Sequence, residues 1–318
     1  MDDSLTRLSV VVATRNRSDH LVRLLESLRA AIGMLNSTPA EVVVADNGST
    51  DKTQRILSDF RNASAFGVEV VDVPIAGKAN ALNQALMAAT GTILAFVDDD
   101  IIVSQDWAKA IVRVFDDNPE LDAVGGFVGP ADDSAAETTL RTQEVHSSVR
   151  LEDISPKNIP VIGCNIAYRR TLLETIGGFD PNIGPGSRIG SGDDLDLLYR
   201  ALSAGARIEY CPQVSVVHDH GRVDDDAVVA LRRRYLRGRG AFYHKFASNK
   251  DERVRKWAYW EIRSLALSLT HSPWTWHNKR RALSGLIALA GGALVSMRIR
   301  GVRARLDHPG IGPKTNLR

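Results

Sequence analysis

The sequence predicts an α/β chain: a mostly parallel sheet with helices on both faces, followed by a basic helical region. Three observations carry this. In the first half, β-branched apolar runs alternate with amphipathic helical stretches. Three of those runs end in polar clusters, Thr14-Arg15-Asn16, Asp46-Asn47 and Asp98-Asp99-Asp100, and parallel sheets bind ligands beyond the carboxyl ends of their strands. Charge also divides sharply along the chain. Residues 1–226 hold 20 Lys/Arg against 34 Asp/Glu, whereas residues 227–318 hold 20 against 4.

The elements follow in order. Leu8–Thr14 (LSVVVAT) is a strand buried on both faces. Ser18 opens a helix whose apolar residues are Leu21, Leu24, Leu25, Leu28 and Ile32. Glu41–Ala45 is a second strand, with a helix over 51–60 after it; Val68–Val73 is a third, followed by a helix over Lys78–Ala89. Thr92–Val97 is the fourth strand, and a helix over Trp107–Phe115 leads to a strand near Ala123–Val128. Beyond Ala131 the pattern supports only a helix around Glu137–Val149. Gly177–Gly192 reads as a loop, a helix starts at Asp193, and two short strands, Arg207–Cys211 and Val214–His218, follow. After Val223 everything reads helical. The sequence therefore divides at 226, into an acidic part (1–226) and a basic, aromatic-rich tail (227–318).

The 318 residues, 44% hydrophobic and 25% charged, exclude collagen-like, coiled-coil and disordered classes. Two cysteines, Cys164 and Cys211, make no disulfide framework and no zinc spacing, which points to a reducing, cytoplasmic compartment. The Met-Asp-Asp-Ser opening predicts no secretory leader, and the apolar run Ala282–Met297 is short for a bilayer span.

No glycine-rich dinucleotide fingerprint and no Walker A sequence occurs, so a bound nucleotide needs another counter-charge for its phosphates. Asp98-Asp99-Asp100 suits that task. Adjacent carboxylates repel unless a cation sits among them, and Mg²⁺ or Mn²⁺ commonly bridges one or two carboxylates to a diphosphate. In an extended strand residues 98 and 100 share a side; a solvated acidic turn is the alternative. In the second acidic cluster, Asp193-Asp194-Leu195-Asp196, ~100° per residue sets Asp194 within the apolar arc. Asp193 and Asp196 fall opposite, and Asp196 can pair with Arg200. Asp194 is thus a helix cap or a functional carboxylate. His218 and His220, at the end of the last strand, are structural or complete a metal site.

Taken together, VVVATRNR (10–17), VVVADNGSTD (42–51), GKANALNQAL (77–86), FVDDD (96–100), GCNIAYRR (163–170), IGGFD (176–180), GDDLDLLYR (192–200) and VVHDH (216–220) resemble the family 2 glycosyltransferases of the GT-A, Rossmann-like fold. The resemblance covers about Leu8 to Arg222. It implies an inverting, metal-dependent transfer from a UDP- or dTDP-sugar to an acceptor hydroxyl. By that analogy Thr14, Arg15, Asn16, Asp46, Asn47, Lys78, Asp98 and Asp99 bind the nucleotide sugar. Asp100 and His218 hold Mn²⁺ or Mg²⁺, with Asp98 a further candidate ligand. Asp194 is the general base and Asp193 the runner-up. Gly163, Asn165, Gly190 and Gly192 belong to an acceptor side or lid. The absence of Q-x-x-R-W implies single addition, to a glycan or lipid-linked acceptor. A sugar nucleotidyltransferase and a non-catalytic nucleotide-sugar scaffold are the competing readings.

Basic helices with interleaved aromatics suit an anionic membrane surface at the inner face of the membrane. They equally suit docking on the acidic part of the chain or an oligomer contact. Nucleic acid is the least favoured partner.

Overall fold

The computed structural model describes residues 8–35, 37–131, 147–151, 161–219, 225–270 and 276–299. Strands β1 (Leu8–Thr14), β2 (Ala40–Asp46), β3 (Gly67–Asp72) and β4 (Ile93–Asp98) run parallel, with β1 between β2 and β4. Helices α1 (Ser18–Gly33), α2 (Thr53–Ala63) and α3 (Lys78–Ala88) connect them. After β4 come β5 (Ile101–Val103), α4 (Trp107–Asp117), β6 (Ala123–Pro130), β7 (Val149–Leu151), β8 (Asn165–Arg169), α5 (Arg170–Ile176), α6 (Asp193–Ser203) and β9 (Ile208–His218). The sheet order is β3-β2-β1-β4-β8-β6-β9-β5, with β7 also paired to β9.

Successive side chains of a strand point to opposite faces, and β1 shows what this does. Val10 and Val12 pack with Leu21, Leu24 and Leu28 of α1 and Trp107 of α4, while Val11 packs on the other face with Leu82 of α3. A strand used on both faces must be apolar throughout, which is why LSVVVAT carries no alternation.

Three expectations are corrected. β8 is a strand, antiparallel to β4 and β6, that NIAYR did not announce, because it is short and lacks a β-branched run. The two expected short strands near 207–218 are one strand, β9, whose register against β6 shifts between Gly126 and Val128. Gly126 permits that irregularity: a Cβ there would meet the Val214 carbonyl oxygen at 1.8 Å. Val149 lies in strand β7 rather than in a helix, and most of the expected helix, 137–146, lies outside the described residues, as does His220.

The tail forms helices α7 (Asp225–Ala247), α8 (Glu252–Thr270) and α9 (Trp276–Arg298). The compositional break at 226 does not interrupt the core. Leu236, Phe242, Tyr243 and Phe246 of α7 share one apolar cluster with Leu197, Leu198 and Tyr199 of α6. The Tyr199 ring meets Phe242, Phe246 and Trp257 edge-on, with centroids at 5.2, 4.7 and 5.6 Å. Each fully buried aromatic or aliphatic side chain of this kind contributes about 1.5–3 kcal/mol, so the tail is docked. Helices α7 and α9 touch backbone to backbone: a Cβ on Gly240 would lie 1.9 Å from the Leu289 carbonyl oxygen, and one on Gly292 1.9 Å from that of Arg237. Among the described residues no helix is long and apolar enough to cross a membrane.

Candidate active site at the strand ends

Register brings the polar strand ends together: Thr14 lies beside Asp46, and Ala13 beside Asp98. Thr14 is buried and donates its hydroxyl to Asp99 Oδ2 at 2.9 Å. Asp46 is buried as well. Its Oδ1 accepts the Ser49 N–H at 2.9 Å, but its Oδ2 has no hydrogen-bond partner among the described residues. A buried carboxylate oxygen left unpaired costs free energy until something donates to it. Arg15 is exposed. Asn16 takes φ 52°, and its side chain accepts the Thr50 N–H at 2.7 Å, tying the β1 loop to the β2 loop. Asn47 spends its amide on backbone: Nδ2 donates to the Val73 and Ile75 carbonyls, and Oδ1 accepts the Gly77 N–H at 2.8 Å. Its side chain is therefore spent on holding the 73–77 loop.

The aspartate triplet does not stay extended. Strand β4 ends at Asp98 and the chain turns at Asp99-Asp100, so the same-side alternation expected for 98 and 100 is lost. Asp98 faces the Lys78 ammonium. Asp99 and Asp100 instead share Arg17, whose Nη1 lies 2.9 Å from Asp99 Oδ1 and 2.6 Å from Asp100 Oδ2. Antiparallel pairing of β5 with β9 sets Ile101 against His218, which brings His218 Nε2 within 3.2 Å of Asp100 Oδ1. Burial raises the Asp100 carboxyl, but His218 and Arg17 outweigh it and hold it well below the usual carboxylate range. Asp99 goes the other way: burial pushes it up, and Arg17 only partly offsets that.

A second group of charges faces Lys78 from α6. Burial pulls the Lys78 ammonium down, but Asp98, Asp193 and Asp194 more than reverse that. Asp193 is buried, and a Cβ on Gly184 of the glycine-rich loop would sit 2.7 Å from its carboxyl carbon. Burial first, then Asp194 and Asp98, push its pKa up to about 7 despite Lys78. Contrary to the helical-arc expectation, Asp193 and Asp196 are buried and Asp194 is the more open, half-buried, with Oδ1 accepting the Leu195 N–H at 2.8 Å. Gly163 makes room for it, since a Cβ there would lie 2.3 Å from Asp194 Cβ. The loop reaches α3 through the Pro185 carbonyl, which accepts the Lys78 N–H at 2.9 Å.

Asn165 does not face an acceptor, contrary to expectation. It is fully buried, donating to the Phe127 and Val214 carbonyls and accepting from Trp107 Nε1 at 2.9 Å, so no polar atom of it is spared. Gly190 and Gly192 adopt φ of 92° and 96° at the end of the loop, beside Arg234 and Gly238 of α7. Sequence reasoning missed Arg17, whose only signal was its place three residues beyond a strand end. It also missed Lys245, which reaches Asp180 and Asp196 at 2.8 and 2.7 Å from a helix distant in sequence.

Asp100 and His218 suit a hard divalent cation as partial ligands, one oxygen and one nitrogen donor already turned to each other. Among the described residues no group of three His, Cys, Asp or Glu could hold an ion alone. An ion held there would need further donors, which phosphate oxygens and water commonly supply to Mg²⁺ or Mn²⁺.

With this geometry, the comparisons are specific. The sequence model of glycosyl transferase family 2 matches residues 9–177. A pre-mycofactocin glycosyltransferase of Mycobacterium tuberculosis is 30% identical over 226 residues, which is 67% of this chain and 43% of that relative. The chain thus spans less than half the length of that relative. Among solved structures, a mannosyltransferase of Pyrobaculum calidifontis in complex with GDP-Man and Mn²⁺ aligns with TM-score 0.56 at 22% identity, covering 93% of this chain and 74% of that one. TarS residues 1–349 of S. aureus, in complex with UDP-GlcNAc, aligns with TM-score 0.58 at 19% identity, covering 90% and 81%. Both share the GT-A fold.

Proposed function

Because the chain belongs to glycosyl transferase family 2, we propose that it moves a sugar from a UDP- or dTDP-sugar to an acceptor hydroxyl with inversion, one residue at a time. The acceptor in this reading is a glycan or a lipid-linked molecule, and the enzyme attaches peripherally to an anionic membrane surface. The observation that carries the catalytic part is the meeting of two acidic clusters across Lys78: Asp98 on β4 and Asp193-Asp194 on α6.

Each residue has a task in this reading. Asp46 Oδ2, buried and unpaired, accepts the ring N–H of a uracil-type base. Thr14 and Asp99 flank the ribose side, and Lys78 faces the diphosphate. Asp100 and His218 would hold Mn²⁺ or Mg²⁺ near the donor's diphosphate. The ion, when bound, neutralises charge on the departing nucleoside diphosphate. Asp194 removes the acceptor proton as the new glycosidic bond forms, because it is the accessible member of the pair; Asp193 stays beneath the loop. A positioned base of this kind is worth roughly 10²–10⁴ in rate.

The test is hydrolysis or transfer assayed against a panel of nucleotide sugars with and without Mn²⁺. Asp194→Asn is expected to retain donor binding by thermal shift while losing transfer at least a hundredfold. Unchanged transfer in that variant would reject Asp194 as the base.

A further inference from the structure

Helix α9 carries two apolar seams on opposite sides. Ala282, Gly285, Leu289, Gly292 and Ser296 form the buried one, turned toward α7. The other consists of Leu283, Ile287, Ala290, Leu294 and Met297, all exposed. Its four large side chains are 52, 59, 52 and 60% exposed. Spacings of four, three, four and three hold these residues on one side of a helix for about 21 Å at 1.5 Å per residue. An uninterrupted apolar ridge of that length on a water-facing helix marks a contact surface.

Charge says what it contacts. Residues 279–299 contain no Asp or Glu, and the ridge is bounded by Arg280 and Arg281 at one end and Arg298 at the other. In the neighbouring α8, residues 253–270 include a single carboxylate, Glu261, buried against Arg239 and Tyr243. A second copy placed ridge to ridge would bring arginines against arginines. An anionic bilayer complements both parts, taking the apolar row among its acyl chains and the arginines at its phosphates.

We infer that the outward ridge of α9 lies in the plane of an anionic phospholipid surface. The face stands on its own geometry; its use, bringing the site to a lipid-linked acceptor, rests on the proposed transferase reading. The inner side of α9 also reaches the glycine-rich loop, where Val295 and Ile299 pack on Ile183 and Ile189. Attachment and the loop over Asp193 therefore share one helix.

The experiment is flotation of the full chain with phosphatidylcholine vesicles and with vesicles containing one-quarter phosphatidylglycerol, at low and high salt. Wild type is expected to float with the anionic vesicles only and to be released by salt. Ile287→Glu/Leu294→Glu, and separately Leu283→Ser/Met297→Ser, should lose at least tenfold in binding with unchanged helical circular dichroism. Equal flotation of these variants would overturn the ridge as the contact. Absence of flotation by wild type would overturn it too, and a wild-type dimer split by the same variants would assign the ridge to a second copy. Donor hydrolysis measured without vesicles tells the two readings apart. A chain that floats yet turns over no nucleotide sugar refutes the transferase reading and leaves the ridge standing.

Discussion

One helix, α6, carries two carboxylate sites with opposite fates. Asp196 is fully buried between Arg200 Nε at 2.9 Å and Lys245 Nζ at 2.7 Å. Lys245 also binds Asp180, and Arg200 donates onward to the Ile176, Gly177 and Gly178 carbonyls. Three residues earlier, Asp193 and Asp194 share the field of one cation, Lys78, with Asp98. The first site is closed, with two cations for two acids. The second has three acids to one cation, and its burial shows up as a proton held to about pH 7 on Asp193. Similar residues therefore lock a helix in one place and stay chemically adjustable in another; the number of dedicated counter-charges decides which.

The sharpest way to break this comparison is Lys245→Met, which leaves buried Asp180 without its cation and Asp196 with Arg200 alone. Loss of one partner from a buried ion pair costs about 3–5 kcal/mol, so urea unfolding should show a loss of that size, and Lys245→Arg should recover part of it. A neutral Lys245→Met would mean the closed site is not closed. Next in size, Asp100→Asn should remove Mn²⁺-dependent donor binding in calorimetry and lower the unfolding midpoint, since the buried Asp100 carboxylate is paired with Arg17 and His218.

The smallest effect is on pH dependence. The folded pKa of Asp193, about 7, lies above the ~3.9 of an unfolded aspartate. Between those values the native state holds a proton that the unfolded chain has lost, so stability falls as pH rises from about 4 to about 7. Asp193→Asn should flatten that stretch of the stability profile. Asp196→Asn should lower stability by unpairing Arg200 and Lys245 from that carboxylate.

Removal of the whole tail would not separate these effects, because α7 supplies Lys245 and the aromatic contacts of Tyr199. The composition break at 226 was legible as charge, but its meaning was not. Acidic and basic halves of a chain can repel, associate with different partners or dock. Only the packing of Phe242 and Phe246 on Tyr199 distinguishes docking from the others.

Local periodicity and strand-end chemistry were written in the chain itself. β1 spans Leu8–Thr14 in both readings and α1 starts within a residue of where its pattern does, because burial on both faces or along one helical stripe leaves a repeating apolar signature. The polar clusters after β1, β2 and β4 were readable for the same reason: a strand end exposes whatever follows it. Tertiary structure alone decided the rest. It turned Asp99 and Asp100 out of the strand, drew Arg17 onto both, and buried Asn165 among carbonyls. It also set His218 beside Asp100 by a cross-strand register. Such pairings join residues tens of positions apart, and hydrogen bonding and charge compensation act across space, where spacing along a chain carries no record of them.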